Sequence, residues 1–254
     1  MTPRVSDVTR ILNKRWDKMA DVAGIIFDKD GTLFDFTATW GAWCRNFIAT
    51  LAQGDPALMT QLADVLGYDL RRSTIRPDAI VIAQTNAQIA TQIQPLFPHL
   101  EIDAVLAQMD AHAIGLQQVE AAPLFALLTA LRGRGLALGV ATNDSESSAR
   151  AHIAAADVDH LFDFIAGYDS GHGGKPDPGP LLAFAQSCRI DPLNCVMVGD
   201  SVHDLVAGRA AGMRAVGVLT GIADRAELAP HADVVLSSIA ALPDWLDNLP
   251  YNRD

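Results

Sequence analysis

The chain has few cysteines, no long apolar run and a shortage of positive charge, and each of these removes a class of protein. Its three cysteines, Cys44, Cys188 and Cys195, stand far apart with no CxxC pair, which argues against a disulfide framework or a cysteine zinc site. No stretch approaches the roughly 20 uninterrupted apolar residues of a membrane span. The opening MTPRVSDVTRILNKRWDK mixes charges with apolar residues and has no signal-peptide core, so a cytoplasmic protein is expected. Acidic residues outnumber basic ones 30 to 19, for a net charge of −11. Such a surface repels nucleic acid and anionic membranes, and an anionic ligand needs a locally positive pocket. Internal repeats and low-complexity tracts are absent too.

What remains is a chain of 254 residues, half of them hydrophobic, which is enough for one large domain or a main domain with a smaller one attached. Short apolar runs at Gly24–Asp28, Leu136–Ala141, Phe164–Gly167, Cys195–Gly199, Ala215–Leu219 and Asp233–Leu236 read as strands buried on both faces. Helical patterns such as PLFALLTALRGRG and PLLAFAQSCRI lie between the later ones. Continuous apolar strands alternating with helices predict an α/β fold, a doubly wound, Rossmann-like parallel sheet. About a hundred residues separate the first strand from the second, and from Phe36 to Val119 no strand-like run occurs. That stretch is rich in Ala, Gln and Leu and broken at GDP, RP and FP, so an all-helical insert is expected. Residues 1–35 and 119–254 then form the core, 36–118 a helical cap, and the segment before the first strand a lone helix.

Ligands of open α/β sheets bind beyond the carboxyl ends of the strands. The residues that follow the strands here are polar: Asp28 and Asp30 in GIIFDKDGTLFDF, Thr142, Asn143 and Asp144, then Lys175 in GYDSGHGGKPDPGP, then Asp200 and Asp204 in GDSVHD. Each has an ordinary structural explanation by itself. Asp30-Gly31 suits an Asx turn, SVHD a helix capping box, and Thr142 or Asn143 a cap for the next helix. Together they change the argument, because three converging carboxylates repel one another unless a divalent cation sits among them. Oxygen ligands without His or Cys select magnesium (Mg2+) over zinc. Magnesium and a lysine make a positive pocket in an acidic protein, suited to a phosphate, and a carboxylate held against a metal-bound phosphoryl group is a nucleophile for an aspartyl-phosphate.

DKDGTL, the Thr after the second strand, GGKP and GDSVHD, in that order, resemble the four motifs of the haloacid dehalogenase-like hydrolase superfamily, spanning Asp28 to Asp204. The insert between the first two motifs resembles the helical-cap subclass, which includes phosphoglycolate phosphatases, β-phosphoglucomutases and phosphonate hydrolases. The resemblance implies Asp28 as nucleophile and Asp30 as the acid, then base, of the leaving group and water. It implies magnesium held by the Asp28 carboxylate, the Asp30 carbonyl and Asp200, with Asp204 close by or acting through water. Thr142 and Lys175, helped by the Asn143 backbone, would bind the phosphoryl oxygens. Dehalogenases and phosphonate hydrolases lack the second aspartate, and the latter use a cap lysine; this chain keeps Asp30 and has no lysine between 36 and 118. A magnesium-dependent phosphatase acting on a small phosphomonoester, phosphoglycolate or similar, is therefore expected, with a β-phosphoglucomutase-like enzyme as the alternative.

Within the insert, Arg45, Arg71, Arg72 and Arg76 are the only lysines or arginines. Three fall in RRSTIRP, where Arg71 or Arg76 would grip a second anion on the substrate, or simply face solvent. Trp40 and Trp43 are expected either to line the pocket or to pack in the cap. Lys29 alternates to the other side of the strand and is read as outside the chemistry. Two readings from other classes compete. A signalling receiver also places Asp, Thr and Lys at strand ends, but needs neither the insert nor GDSVHD; a non-catalytic phosphate-binding protein would not need the full set of side chains. Monomer and homodimer both remain open.

Overall fold

The computed structural model describes residues 22–76, 78–82, 84–114 and 118–249, so the lone helix expected before the first strand falls outside the described residues. Strand β1 (Gly24–Phe27) is followed by helices α1 (Phe36–Ala52) and α2 (Pro56–Leu66), the short strands β2 (Tyr68–Asp69) and β3 (Thr74–Ile75), and helices α3 (Asn86–Ile93) and α4 (Ile102–Ile114). The chain continues through α5 (Leu124–Gly133), β4 (Ala137–Ala141), α6 (Glu146–Ala155), β5 (Phe164–Ala166), α7 (Gly179–Cys188), β6 (Cys195–Gly199) and α8 (Val202–Ala210). Strand β7 (Arg214–Val218), α9 (Arg225–Leu228), β8 (Val234–Leu236) and α10 (Leu242–Asp247) complete the strands and α-helices of the described residues, which also include short 3-10 turns.

Six strands form one parallel sheet in the order β5-β4-β1-β6-β7-β8, matching the six expected runs to within a residue or two at their ends. The apolar runs are continuous because both faces are covered. Ile25 and Phe27 of β1 point into a layer with Leu124, Leu128 and Leu131 of α5 and Ile153 of α6, while Ile26 points the other way onto Leu181 and Phe184 of α7. Each such fully buried side chain contributes roughly 1.5–3 kcal/mol relative to exposure. Register then does the positioning: Phe27 sits opposite Val140 of β4 and Val198 of β6. The residues that follow these strands therefore emerge at the same edge.

The insert has its own apolar cluster, built from α1 (Trp43, Phe47, Ile48), α2 (Leu62, Leu66), α3 (Ile89, Ile93) and α4 (Val105, Met109). Local signals set its helix ends. Asp55 caps α2 with Pro56 in the first turn, Gly67 in the left-handed conformation (φ 76°) stops it, and Thr85 with Gln88 forms a capping box on α3. The insert is not wholly helical, which corrects the sequence expectation: β2 and β3 pair as a small antiparallel hairpin. Two residues per strand are too few to leave an alternation pattern, and the hairpin is shaped instead by Asp69, whose Oδ1 accepts from the backbone N–H groups of Arg71 and Arg72 at 2.9 Å each. The chain leaves and re-enters the sheet region through adjacent segments, joined by Asp35 N–H to the Val119 carbonyl (2.8 Å) and Ala121 N–H to the Leu33 carbonyl (2.9 Å).

Candidate active site

Four strand ends meet at one cavity, lined by Asp28, Asp30, Thr142, Asn143, Lys175, Asp200 and Asp204 from the core and by Trp40, Val81, Gln84, Asn86 and Ile89 from the insert. Each core group arrives for a local reason. Asp28 follows β1, and its backbone N–H still bonds the Val198 carbonyl (2.8 Å), so its position is fixed by the sheet. Gly31 turns the chain with φ 86°, and a Cβ there would stand 2.3 Å from Asp200 Oδ2, so this turn tolerates no side chain. Asp200 follows β6, within reach of the Thr32 hydroxyl at 3.4 Å.

Thr142 follows β4, where its Oγ1 accepts from the Asp144 N–H (3.1 Å), leaving the hydroxyl proton to donate into the cavity. The helix cap that the sequence offered to Thr142 or Asn143 belongs to Ser145, whose side chain accepts from the Ser148 N–H. Asn143 serves the loop instead, its side-chain amide donating to the Lys175 carbonyl (2.9 Å) and accepting from the Lys175 N–H (2.8 Å). This two-point clasp holds the GGKP loop beside β4, so a loop far off in sequence presents its lysine at a fixed place. Asp204 makes the capping box and also reaches the lysine of the site. Its Oδ2 accepts from the Ser201 N–H (3.0 Å) and hydroxyl (2.7 Å) in the capping box of α8, and its Oδ1 pairs with Lys175 Nζ at 2.6 Å.

The electrostatics are unbalanced. Lys175 pairs with both Asp28 and Asp204 and is almost wholly buried, as are Asp28, Asp200 and Asp204. Burial pushes the Asp28 carboxyl up to about 7, Lys175 opposes this, and Asp204 and Asp30 add to it. Burial, then the charges of Asp28 and Asp204, hold Asp200 well above the carboxylate range. For Lys175, burial opposes the charge, but Asp204 and Asp28 outweigh it and its pKa rises. One ammonium thus faces three carboxylates, whose oxygens lie within 4.8 Å of one another. A buried, all-oxygen donor set that resists full ionisation by itself fits a hard divalent cation such as magnesium.

The structure does not bring every expected residue here. Arg71 and Arg76 are in the hairpin region and do not line the cavity; Arg76 is engaged with Asp64, bonding its carbonyl at 2.7 Å and its carboxylate at 3.6 Å. The two tryptophans divide the readings offered for them. Trp40 lines the cavity, whereas Trp43 stacks on Phe47 with ring centres 4.6 Å apart inside the insert.

Lys29 does not line the cavity, yet it sits closer to the site residues than strand alternation implied. It is fully buried, with Nζ 2.7 Å from Asp30 Oδ2 and 3.1 Å from Asp144 Oδ2. Strand alternation misplaced it because β1 ends at Phe27, and beyond Asp28 the backbone is already turning. Asp144 and Asn86 do line the cavity, along with apolar and amide residues of the insert, and no motif marked them as site residues. Asp144 had one signal, its place directly after a strand-end Thr-Asn.

Comparison with known proteins identifies the family and the fold. The family model for haloacid dehalogenase-like hydrolase matches residues 22–212. A phosphoglycolate phosphatase of Rhodospirillum rubrum is 38% identical over 122 residues, 48% of this chain and 50% of that one. Another, of Xylella fastidiosa, is 30% identical over 199 residues, 78% of this chain and 80% of that one. The crystal structure of a predicted phosphoglycolate phosphatase from Haemophilus somnus shares the fold with a TM-score of 0.69 at 19% identity, covering 89% of this chain and 99% of its own. The chain belongs to the haloacid dehalogenase-like hydrolase family.

Proposed function

We propose that this phosphatase hydrolyses a small phosphomonoester through a phosphorylated Asp28, with phosphoglycolate the first candidate substrate. The observation that carries the reading is the buried set of Asp28, Asp200 and Asp204 around Lys175, with the Thr142 hydroxyl in the same cavity. Asp28 attacks phosphorus, the bond to the leaving oxygen breaks, and a proton from Asp30 goes to that oxygen. A water then attacks phosphorus, gives its proton to Asp30, and the bond to Asp28 breaks, restoring both carboxyl groups. Lys175 and Thr142 donate to the phosphoryl oxygens throughout. Asp28 and Asp200, with the Asp30 carbonyl, are the residues that would hold magnesium, and Asp204, whose oxygens already serve Ser201 and Lys175, suits an outer position. Magnesium, when bound, supplies charge neutralisation and polarises the phosphoryl group.

Residues 36–118 act in this reading as a cap over the core residues 1–35 and 119–254. The catalytic cavity is small, about 50 Å³, and opens beside a cleft of about 370 Å³ lined by Gln84, Gln88, Thr91, Gln92 and His203. The phosphoryl group fits the first and the leaving group reaches the second. The positions of Arg71 and Arg76 give no support to a cap arginine that grips a carboxylate, so His203 is the better candidate contact for an acidic leaving group. Phosphate release from a panel of phosphomonoesters, with and without magnesium, tests the reading. Magnesium-dependent turnover of phosphoglycolate or another small ester is expected. Transfer of the phosphoryl group to a second hydroxyl of a sugar phosphate, in place of water, would make the enzyme a mutase instead.

A further inference from the structure

We propose that Lys29 is a positioning residue that holds the Asp30 carboxylate in place for proton transfer and ties it to the insert; this rests on Asp30 being the acid and base of the reaction. The lysine is fully buried beside the cavity, an expensive place for an ammonium unless its partners are well arranged. They are. An ammonium has three N–H groups, and three acceptors surround this one: Asp30 Oδ2 at 2.7 Å, Asp144 Oδ2 at 3.1 Å and His152 Nδ1 at 3.0 Å. Because Lys29 can only donate, Nδ1 of His152 is the acceptor; its Nε2 then donates to the Ala113 carbonyl at 2.7 Å. His152 is therefore neutral, in keeping with burial and, after it, the charge of Lys29 lowering its pKa.

The two oxygens of Asp30 are used differently. Oδ2 is anchored by Lys29, whereas Oδ1 is buried with no hydrogen-bond partner among the described residues, on a side chain that lines the cavity. One fixed oxygen and one unused oxygen make a carboxyl whose orientation is set but whose proton site is open. Asp144 is itself held, by the Ser148 hydroxyl (2.7 Å), the Ser145 N–H (2.8 Å) and Asn86 Nδ2 (2.9 Å). Asn86 begins α3 and also donates to Asp110 of α4, and Ala113 lies near the end of α4. The anchor of Asp30 thus has two attachments in the insert, one through Asp144 and one through His152. A residue that served packing alone at this position would need no charge.

Leaving-group dependence tests this. Kinetic constants kcat/KM are compared for an alkyl phosphate, whose departing oxygen needs a proton, and 2,4-dinitrophenyl phosphate, whose leaving group does not. The ratio of the two within one preparation is independent of how much of the protein is folded. Replacing Lys29→Met is expected to lower that ratio by on the order of 10²-fold, the lower end of what a general acid contributes. In an Asp30→Asn background the same change should lower it little further. If Lys29→Met yields no active protein, Lys29→Gln is read by the same ratio. An unchanged ratio in these variants, while Asp30→Asn lowers it, overturns the role of Lys29 alone. An unchanged ratio in Asp30→Asn overturns the assignment of Asp30 itself, and the Lys29 proposal falls with it.

Discussion

Two buried lysines pair with the two aspartates of one turn, Lys175 with Asp28 and Lys29 with Asp30, and do opposite things. Lys175 faces three carboxylates and leaves them under-neutralised, so burial raises Asp28 to about 7 and holds Asp200 well above the carboxylate range. Lys29 faces two carboxylates and a neutral histidine, and on that side Asp144 moves down: burial opposes its charge, but Lys29 and Ser148 outweigh it. The first cluster sets one ammonium against three carboxylates and opens on the cavity; the second sets one against two, with all three N–H groups of its ammonium placed on acceptors, and faces the join between core and insert. A strongly under-neutralised group of charges suits a ligand, while a tightly hydrogen-bonded one positions its neighbours.

The sharpest way to break this contrast is on the Lys175 side. Asp28→Asn should reduce turnover by more than about 10⁴-fold, since the attacking atom is gone, with the circular dichroism spectrum unchanged. Next comes Lys175→Met, which removes a donor to the phosphoryl group. A fall in kcat of roughly 10²–10³-fold is expected, in line with the loss of one preorganised donor.

A third test uses pH. Asp28 and Asp200 have folded pKa values raised above the unfolded range, so they bind protons more tightly when folded. Without metal their contribution favours folding at low pH and is lost as pH rises from about 4, the unfolded value, through about 7 for Asp28. The increase in melting temperature on adding magnesium should accordingly be larger at pH 8 than at pH 5.5. Asp200→Asn should flatten that difference; an equal magnesium effect at both pH values in the unmutated enzyme would contradict the assignment of these carboxylates. The smallest effect is expected on the Lys29 side. Asn86→Ala leaves Asp144 and Asp110 each short of a donor, and a loss of about 1–3 kcal/mol in denaturant unfolding is expected.

The same contrast explains what could be read from the sequence. Asp28, Thr142, Lys175 and Asp200 were legible because parallel strands leave continuous apolar runs, and residues just past such runs share one edge. The capping box of Ser201 and Asp204 was legible too, though its spacing left open whether Asp204 also served the site. Lys29 was not legible, because its partners Asp144 and His152 lie over a hundred residues away and its own backbone had already left the strand. The insert gave its helices through composition and its breaks through Asp55-Pro56 and Gly67, but its hairpin was too short for any periodicity. The remaining lining residues, Gln84, Asn86 and His203 among them, come together only through neighbours that the tertiary fold supplies.

The central claim is a covalent phosphate on Asp28, and one measurement tests it most directly. Asp30→Asn enzyme is mixed with 2,4-dinitrophenyl phosphate and magnesium, quenched in acid within the first turnover, and its peptides are mapped by mass spectrometry. Formation of the intermediate needs no proton here, while its hydrolysis has lost its base, so phosphate should accumulate on the peptide bearing Asp28 and be released by hydroxylamine. Sustained dinitrophenol and phosphate release with that peptide unmodified, and with Asp28→Asn equally active, would contradict the account.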